Sequence, residues 1–237
     1  MKLSCLIVLL FLINAAVCQQ RASSDTLSKY AYPVYFNFKG TSARTLATCF
    51  FVNIRGVAFI VTAGHTVFEP GGRKIDFEAI NIYNNPKDRL DHGFAFSSDE
   101  LAFYLVIAKS AYCDIAVAKI NIPKGQTVNF AYSDGLSEYS LKDTAANTPM
   151  VILGYPNDDI DKVPTAIYKW NSSAPYFFSK KYSSPGSSGG PVFVFSKRKD
   201  VTQAVLAGIN TGRDPKTDKG VVQKFQALYD FVLTQYF

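Results

Sequence analysis

The chain has 237 residues, which is enough for one large domain or two small ones. Hydrophobic residues make up 48% of it and charged residues 19%, a balance that excludes an intrinsically disordered chain. The formal net charge is +6, but the basic residues are scattered, and their one local cluster, at 197–199, lies at a predicted hairpin tip. Since no basic stripe interleaved with aromatic residues accompanies that cluster, we expect no nucleic-acid partner.

The first 18 residues have the pattern of a secretory signal peptide. Lys2 precedes an apolar run from Leu6 to Leu12, and the small residues at 16–18 offer a cleavage site. The run is shorter than the roughly 20 residues that a membrane span needs, and no later segment of the sequence is apolar over such a length. We therefore expect a protein that is secreted to the extracellular space and has no membrane partner.

Two features of the sequence gain meaning if the protein is exported. Cys49 and Cys113 are the cysteines that remain after residue 18. They either form a disulfide or lie apart as two buried thiols, and their spacing leaves both alternatives open. Asn171 opens the sequence Asn-Ser-Ser, which is a glycosylation site if the host cell is eukaryotic.

From Tyr30 onward, short runs rich in Phe, Tyr, Val and Ile alternate with Gly, Pro, Asn and Asp, a pattern typical of strands and turns. The predicted strands are 34–38, 45–54, 57–62, 77–83, 101–108 and 115–120, followed by 150–154, 166–170, 176–181, 192–196 and 204–209. These two groups indicate an all-β protein of two antiparallel six-stranded barrels.

The two barrels divide the chain into three predicted parts after the signal peptide. The N-terminal barrel occupies residues 19–125, a polar linker 126–148, and the C-terminal barrel 149–237. An amphipathic helix should close the second barrel, because apolar residues recur at helical spacing near the end of the chain. These residues are Phe225, Leu228, Tyr229, Val232 and Tyr236.

A glycine-rich stretch at 186–191, Gly-Ser-Ser-Gly-Gly-Pro, leads directly into the apolar run 192–195. Small residues there allow a serine hydroxyl to stand exposed while neighbouring backbone N–H groups point to one spot, which a developing oxyanion requires. The stretch also fits an ordinary tight turn before a strand, and it matches the G-x-S-x-G nucleophile elbow of a different hydrolase fold. The histidines distinguish these alternatives.

A serine nucleophile needs an adjacent base, usually a histidine that a carboxylate orients. The chain has two histidines, His65 and His92, and both precede Ser188. The nucleophile-elbow order, with histidine after serine, is therefore excluded, and the subtilisin order would depend on Asp25 in the polar N-terminal segment. The order His, Asp, Ser is the one that this sequence supplies.

His65 is the favoured base because it follows the run 59–62 and two small residues, at the predicted rim of a barrel. His92 lies in a loop-like Asp-His-Gly sequence without an apolar scaffold. Asp114 stands at the head of the apolar strand 115–120, where a partly buried carboxylate needs a partner such as an imidazole N–H. A structural histidine and an aspartate that caps a turn are the alternatives.

Together these segments resemble the three signatures of the chymotrypsin-like (trypsin-fold) serine peptidases, in the order of that family. The matching stretches are 62–65 (Thr-Ala-Gly-His), 114–117 (Asp-Ile-Ala-Val) and 186–191. The stretches 151–156 and 208–212 are similar to segments of the family's second barrel, especially in its HtrA-like and glutamyl endopeptidase branches. The resemblance covers residues 45–213.

The resemblance implies a secreted serine endopeptidase that cleaves protein or peptide substrates through an acyl-enzyme intermediate. Ser188 would be the nucleophile, His65 the general base and then acid, and Asp114 would hold the imidazole tautomer. The backbone N–H groups of Gly186 and Ser188 would form the oxyanion hole. No metal and no cofactor are implied. A monomer is expected, with a protein inhibitor as a further partner.

The same resemblance assigns substrate binding to residues on both sides of the serine. They are Tyr182, Asn210, Thr211, Gly212 and Arg213. Tyr182 would form the floor of the specificity pocket and thereby disfavour Lys or Arg, and Thr211 would also support the acid with its hydroxyl. Residues 211–213 would pair with an extended substrate by strand addition. The default expectation is cleavage after a small or medium apolar side chain.

Ser187 stands where trypsin has the aspartate that receives the N-terminus released by activation, so activation by that ion pair is not expected. The competing functional class is a catalytically silent homologue that acts as a secreted binding protein. The presence of His65, Asp114 and Ser188 together weighs against that interpretation.

Overall fold

The computed structural model describes residues 24–42, 44–84, 93–108, 111–133, 145–198 and 201–237. Its helices are α1 (Ser24–Leu27) and α2 (Phe225–Tyr236). The strands of the first half are β1 (Tyr32–Phe38), β2 (Arg44–Ile54), β3 (Val57–Ala63), β4 (Phe77–Ile82), β5 (Phe94–Ser97), β6 (Tyr104–Ala108), β7 (Ala111–Lys119) and β8 (Phe130–Ser133). Those of the second half are β9 (Pro149–Gly154), β10 (Asp161–Lys169), β11 (Tyr176–Ser179), β12 (Pro191–Arg198), β13 (Val201–Asp214) and β14 (Lys219–Lys224).

The strands form two barrel-like sheets, which confirms the predicted all-β, two-barrel fold. The second half is a closed six-stranded antiparallel barrel in the order β10-β11-β14-β13-β12-β9. The first half is an eight-stranded sheet in the order β5-β4-β1-β2-β3-β7-β6, with β8 paired to β2. The predicted count of six strands therefore holds for the second barrel, and the first sheet has more.

Three strands lie outside the predicted set: β5, β8 and β14. Strand β8 falls inside the segment predicted as a linker, and it runs parallel to β2, with Phe130 opposite Phe51. Strand β14 contains a glycine and begins and ends with lysine, so its apolar alternation is weak. Its partners β11 and β13 on either side make it a strand. Pairing with distant strands, rather than local pattern, places these elements.

Apolar residues are buried on both faces of the central strands, so the core has three parts. One cluster lies within the first sheet and contains Phe36, Phe51 and Ile80. Another lies inside the second barrel and contains Ile152 and Phe177. The third lies between the two sheets and is built from alternate residues of the same strands. It includes Phe50, Val52, Val61, Ile115, Val151, Leu153, Phe193, Leu206 and Ile209.

Helix α2 contributes Phe225, Leu228 and Val232 to the cluster between the sheets. The predicted helix and its buried stripe are therefore present, but the helix contacts β6 and β7 of the first sheet as well as β13 and β14 of the second barrel. The Tyr236 ring lies 5.0 Å from the Phe59 ring on β3. The helix thus joins the two halves. No helix in the described part of the chain is long and apolar enough to cross a membrane.

The two cysteines are free thiols, so of the two alternatives left open by the sequence the structure has the separate thiols and not the disulfide. Cys49 on β2 belongs to the cluster within the first sheet, whereas Cys113 on β7 belongs to the cluster between the sheets. Because the two side chains face different parts of the core, they cannot meet without a rearrangement of the strands.

Candidate active site

His65 lies in a single 3-10 turn, Gly64–Thr66, that follows the end of β3. The turn is held by the Thr66 hydroxyl, which donates to the Ala63 carbonyl at 2.7 Å. Gly64 is required next to the histidine, because a Cβ there would lie 2.9 Å from Asp114 Oδ1 and 2.7 Å from Leu105 Cδ1. The glycine in the Thr-Ala-Gly-His sequence thus makes room for the carboxylate.

Asp114 lies on β7, and the antiparallel pairing of β7 with β3 places Ile115 opposite Ala63. This register brings the carboxylate to the turn, where both of its oxygens are used. Oδ1 accepts the backbone N–H of His65 at 2.7 Å, and Oδ2 lies 2.8 Å from Nδ1 of the ring. Since an ionised carboxylate only accepts, Nδ1 carries the proton and Nε2 of the neutral ring is left as an acceptor.

The charge state of His65 is controlled by this pair. Hydrogen bonding to Asp114 raises the pKa of His65, partial burial opposes that effect, and the charge of Asp114 adds to the rise. The His65 side chain is 49% exposed and that of Asp114 32% exposed. The ring therefore has one edge fixed by the carboxylate and another open to a reactant.

The loop that carries Ser188 approaches the first sheet closely. Gly189 adopts a positive φ of 89°, and a Cβ on it would overlap the Thr48 carbonyl and the Thr62 hydroxyl. It would also lie 2.7 Å from the Ala63 backbone nitrogen, two residues before His65. A glycine is thus needed for both its backbone conformation and its contact. The structure therefore brings the Ser188 loop and the His65 turn together.

Thr48 on β2 fixes the loop against the first sheet, and the sequence analysis missed it. Its backbone N–H donates to the Ser188 carbonyl at 2.9 Å. Its hydroxyl donates to the Gly186 carbonyl at 2.9 Å and accepts from the Tyr155 backbone N–H at 2.9 Å. The side chain is fully buried. The available sequence signal was a threonine directly before the apolar run 49–52.

Asn210 holds the same loop from the second barrel. Its backbone carbonyl accepts from Gly189 N–H at 2.7 Å, and its backbone N–H donates to the Gly190 carbonyl at 2.9 Å. Its side-chain Nδ2 donates to the Ser187 carbonyl at 2.9 Å and to the Ser183 hydroxyl at 2.7 Å. Predicted as a substrate-binding residue, Asn210 is 1% exposed and positions the loop backbone.

The predicted oxyanion donors have the freedom that such a role requires. Within the described residues, neither the Gly186 N–H nor the Ser188 N–H donates a hydrogen bond to another protein group. Both residues are partly exposed. The same part of the chain contains no hydrogen bond between the His65 ring and the Ser188 hydroxyl. Such catalytic bonds are often long in proteins without substrate.

The other predicted substrate-binding residues form an exposed edge. Tyr182 is 40% exposed, and the Arg213 guanidinium stacks on its ring at 4.7 Å, so the residue is not buried as a pocket floor would be. Arg213 Nε also pairs with Asp218 at 2.6 Å. The Thr211 hydroxyl donates to the Val221 carbonyl at 3.3 Å, whereas the resemblance implied that it supports the acid. A Cβ on Gly212 would meet no atom within 4 Å, so there is space above the strand at that position.

A cleft of about 370 Å³ lies beside the histidine and the aspartate. Apart from these two residues it is lined mainly by apolar groups, among them Phe68, Pro70, Ile75 and Leu105. His92 lies outside the described residues. No group of three or more His, Cys, Asp or Glu residues that could hold a metal ion is found in the described ranges.

No protein-family model matches the chain, and no curated protein matches its sequence. Solved structures do resemble it. A thermostable serine protease, AL20 from an extremophilic microorganism, matches with a TM-score of 0.60 and 15% identity, over 90% of this chain and 100% of that one. The protease Anisep from Arthrobacter nicotinovorans matches with a TM-score of 0.57 and 15% identity, over 87% and 94% of the two chains.

A third solved structure, the catalytically active tobacco etch virus protease in complex with product, matches with a TM-score of 0.54 and 11% identity. The match covers 90% of this chain and 80% of that one. At such low identity, these likenesses establish the architecture. The chain has the trypsin-like double-barrel fold.

Proposed function

We propose that the chain is a serine endopeptidase, with Ser188 as nucleophile, His65 as general base and Asp114 as its orienting carboxylate. The observation that carries the proposal is the geometry of Asp114, which accepts both the backbone N–H and the Nδ1–H of His65. That arrangement leaves Nε2 as the basic atom, in a turn that contacts the Ser188 loop.

The reaction follows from these positions. Nε2 of His65 takes the proton of the Ser188 hydroxyl as Oγ attacks the scissile carbonyl carbon, and the imidazolium is stabilised by Asp114. The oxyanion of the tetrahedral intermediate is bound by the N–H groups of Gly186 and Ser188, each worth about 3 to 4 kcal/mol in a measured case. His65 then donates its proton to the leaving amine, which leaves an acyl group on Ser188. Water activated by the same histidine releases the acid product.

Peptide substrates suit the open edge of β13. The pairing of β12 with β13 reaches only Ile209, whereas residues 212–214 pair with β14, so among the described strands this stretch has a ladder partner on one side and its other side suits strand addition. The likeness to proteases of known structure, one of them in complex with product, supports peptide substrates. A specific likeness to the HtrA-like or glutamyl endopeptidase branch stays a prediction.

We also propose that the protein is secreted as a monomer and glycosylated at Asn171. The Asn171 side chain is exposed, and its Oδ1 accepts from the Ser173 hydroxyl at 2.7 Å, so the two polar residues of the sequon are adjacent. Expression in a eukaryotic secretory host should give an endoglycosidase-sensitive product, and Asn171→Gln should migrate like the treated wild type. An unmodified secreted product would contradict the proposal.

A fluorophosphonate probe tests the catalytic proposal directly, because it reacts with a serine only when the hydroxyl is activated. We expect covalent labelling that is lost in Ser188→Ala. Ser187→Ala is the matched control, since the Ser187 hydroxyl is buried and has no hydrogen-bond partner within the described residues. Labelling should persist there. A folded wild type that does not react would favour the catalytically silent binding protein.

A further inference from the structure

The peptide group between Ser187 and Ser188 carries one of the two proposed oxyanion donors, the Ser188 N–H. Its carbonyl oxygen, on Ser187, accepts two hydrogen bonds, one from Asn210 Nδ2 at 2.9 Å and one from the Gly190 N–H at 3.1 Å. This peptide is trans, so its C=O and N–H groups point in opposite directions. The hydrogen bonds to the Ser187 carbonyl therefore fix the direction of the Ser188 N–H, which points away from Asn210.

The Asn210 side chain is held in one orientation by this carbonyl. Its Nδ2 also donates to the Ser183 hydroxyl at 2.7 Å, but a hydroxyl can donate or accept and does not determine which end of the amide faces it. A carbonyl oxygen only accepts, so the Ser187 contact requires the amide nitrogen. Asn210 is 1% exposed and Ser187 0% exposed. The hydrogen bond is thus shielded from water, which would otherwise compete for both partners.

This orientation leaves the other atom of the amide without a partner. Asn210 Oδ1 is buried, and it accepts no hydrogen bond in the part of the chain that the structure describes. Buried acceptors are normally paired, so an unpaired one calls for a reason. A leucine has a similar shape and would carry no unpaired acceptor, but it could not bind the Ser187 carbonyl. The contact with that carbonyl is therefore the property for which asparagine suits position 210.

Within the described residues, uncharged groups hold the two peptides that flank Ser188. Residues 183–191 contain no ionisable side chain. The Ser187 hydroxyl is buried and has no hydrogen-bond partner in the described ranges, so it does not anchor the loop. The peptide after Ser188 is held from the first sheet, where the Thr48 N–H donates to the Ser188 carbonyl at 2.9 Å. The peptide before it is held from the second barrel by a side chain, that of Asn210, which a substitution can remove.

Building on the proposed peptidase function, we propose that Asn210 is a positioning residue for the oxyanion. Its amide holds the Ser187 carbonyl and thereby keeps the Ser188 N–H directed at the place where the oxyanion develops. Asn210 itself touches neither the substrate nor the reacting atoms. Because the amide is uncharged and belongs to the folded chain, this donor is ordered without a charged N-terminus released by cleavage. Ser187, which has no carboxylate for such an ion pair, fits that role.

The test compares two inhibitors built on one peptide, taken from the sequences that the wild type cleaves best in a peptide library. With the peptide aldehyde, Ser188 Oγ adds to the carbonyl carbon, its proton passes to His65, and the former carbonyl oxygen becomes an oxyanion. The corresponding peptide alcohol binds without forming one. In Asn210→Leu, the affinity for the aldehyde should fall at least about tenfold more than that for the alcohol. The value of kcat should fall by about 10²-fold, the lower end of the cost of losing one oxyanion donor, with KM close to wild type.

Ser183→Ala is the matched control, because it removes the other hydrogen bond of Asn210 Nδ2 and leaves the bond to the Ser187 carbonyl. It should lower the free energy of unfolding but keep the wild-type ratio of aldehyde to alcohol affinity. Equal losses of the two affinities in Asn210→Leu, or a ratio that changes as much in Ser183→Ala, would overturn the inference. If Asn210→Leu does not fold, Asn210→Asp takes its place, because an ionised carboxylate has the same shape and no N–H donor.

The fluorophosphonate probe distinguishes failure of this inference from failure of the peptidase proposal. Titration with the probe counts the reactive molecules, so a loss caused by unfolded protein is not mistaken for a lower kcat. Ser188-dependent labelling of the wild type, with an unchanged affinity ratio in the Asn210 variants, would overturn the inference and leave the peptidase proposal standing. A folded wild type that does not react would overturn the peptidase proposal and this inference with it.

Discussion

The two halves of the candidate site are held in place by different kinds of interaction. In the first half, His65 is bound by a single carboxylate, and both side chains are partly exposed, 49% and 32%. In the second half, the Ser188 loop is bound by neutral hydrogen bonds from Thr48 and Asn210, which are 0% and 1% exposed. The His65 contact is thus an accessible hydrogen bond to a carboxylate, whereas the Ser188 loop is held by a buried network of uncharged groups.

The two kinds of interaction at the candidate site have different consequences. A charge close to the histidine controls which nitrogen is protonated and at what pH, so the first half determines protonation. Buried neutral hydrogen bonds respond little to pH and salt, so the contacts of the Ser188 loop determine where the proposed nucleophile and the proposed oxyanion donors lie. Variants of His65 or Asp114 should therefore change the pH profile of activity, and variants of Thr48 or Asn210 should change the free energy of unfolding.

The largest effect is expected for Asp114→Asn. The amide places an N–H group against the ring, which favours the wrong tautomer, and kcat should fall by about 10⁴-fold, as in a comparable triad. Circular dichroism should show an unchanged fold. Asp230→Asn on α2 is the control, because its carboxylate contacts Gln226 away from the site. A loss below about tenfold would show that the carboxylate does not orient the base.

Thr48→Val tests the hydrogen bonds that hold the Ser188 loop. The change leaves the Gly186 carbonyl and the Tyr155 N–H without the hydroxyl that each now uses. The free energy of unfolding should fall by about 1 to 3 kcal/mol for each group left unpaired, as measured by denaturant titration. The Thr48→Ser control keeps the hydroxyl and should retain most of that stability. Equal losses in the two variants would mean that packing, not hydrogen bonding, is the contribution of Thr48.

The pH dependence of kcat/KM distinguishes the role of the His65–Asp114 contact from that of the hydrogen bonds that hold the Ser188 loop. Because Asp114 raises the pKa of His65, the ring stays protonated, and unable to accept the serine proton, to a pH above its ordinary value. Activity should be lost as the pH falls through that raised pKa. Thr48→Ser should keep the wild-type midpoint, since it leaves the ion pair intact. A wild-type midpoint at or below about 6.5, the ordinary value, would contradict this account.

The raised pKa of His65 affects stability and activity in opposite directions: activity falls as the pH decreases, whereas the stability contributed by the His65–Asp114 contact falls as the pH increases. Protonated His65 interacts favourably with Asp114 in the folded state, so this contribution is fully present below the ordinary pKa of the unfolded chain. It is lost as the pH rises through the raised pKa. Denaturant midpoints measured on both sides of neutrality should show a small decrease with increasing pH. Asp114→Asn should remove that decrease.

The smallest effect is expected from reduction of the protein, because Cys49 and Cys113 are free. Burial raises the pKa of both thiols, so they should react with alkylating reagents only after denaturation. The intact mass should be the same with and without reductant. A mass lower by two hydrogens before reduction would indicate the disulfide that the structure excludes.

The contrast between the halves also explains what could be predicted from the sequence. His65, Asp114 and Ser188 each lie in a short local motif, and two of them meet through one β3–β7 pair. The contacts that hold the Ser188 loop join residues far apart in the chain, such as Thr48 and Gly186, separated by 138 positions. No local pattern encodes such a contact.

Two residues that the resemblance assigned to substrate binding, Asn210 and Tyr182, have surroundings in the fold that their local sequence does not reveal. The resemblance assigned Asn210 to substrate binding, and its side chain is buried against Ser183 and Ser187. The resemblance assigned Tyr182 to a pocket floor, whereas the residue is 40% exposed and its ring is stacked by Arg213. Strands were predictable where apolar residues are dense, as in β2 and β9, and β14 depended on partners that the local pattern does not reveal.

The measurement that tests the central claim most directly is the rate of fluorophosphonate labelling of Ser188 in His65→Ala and His92→Ala. If His65 is the base that activates Ser188, its removal should slow labelling by orders of magnitude, while removal of the other histidine should leave the rate close to wild type. Equal loss in the two variants, or loss in His92→Ala alone, would contradict the assignment.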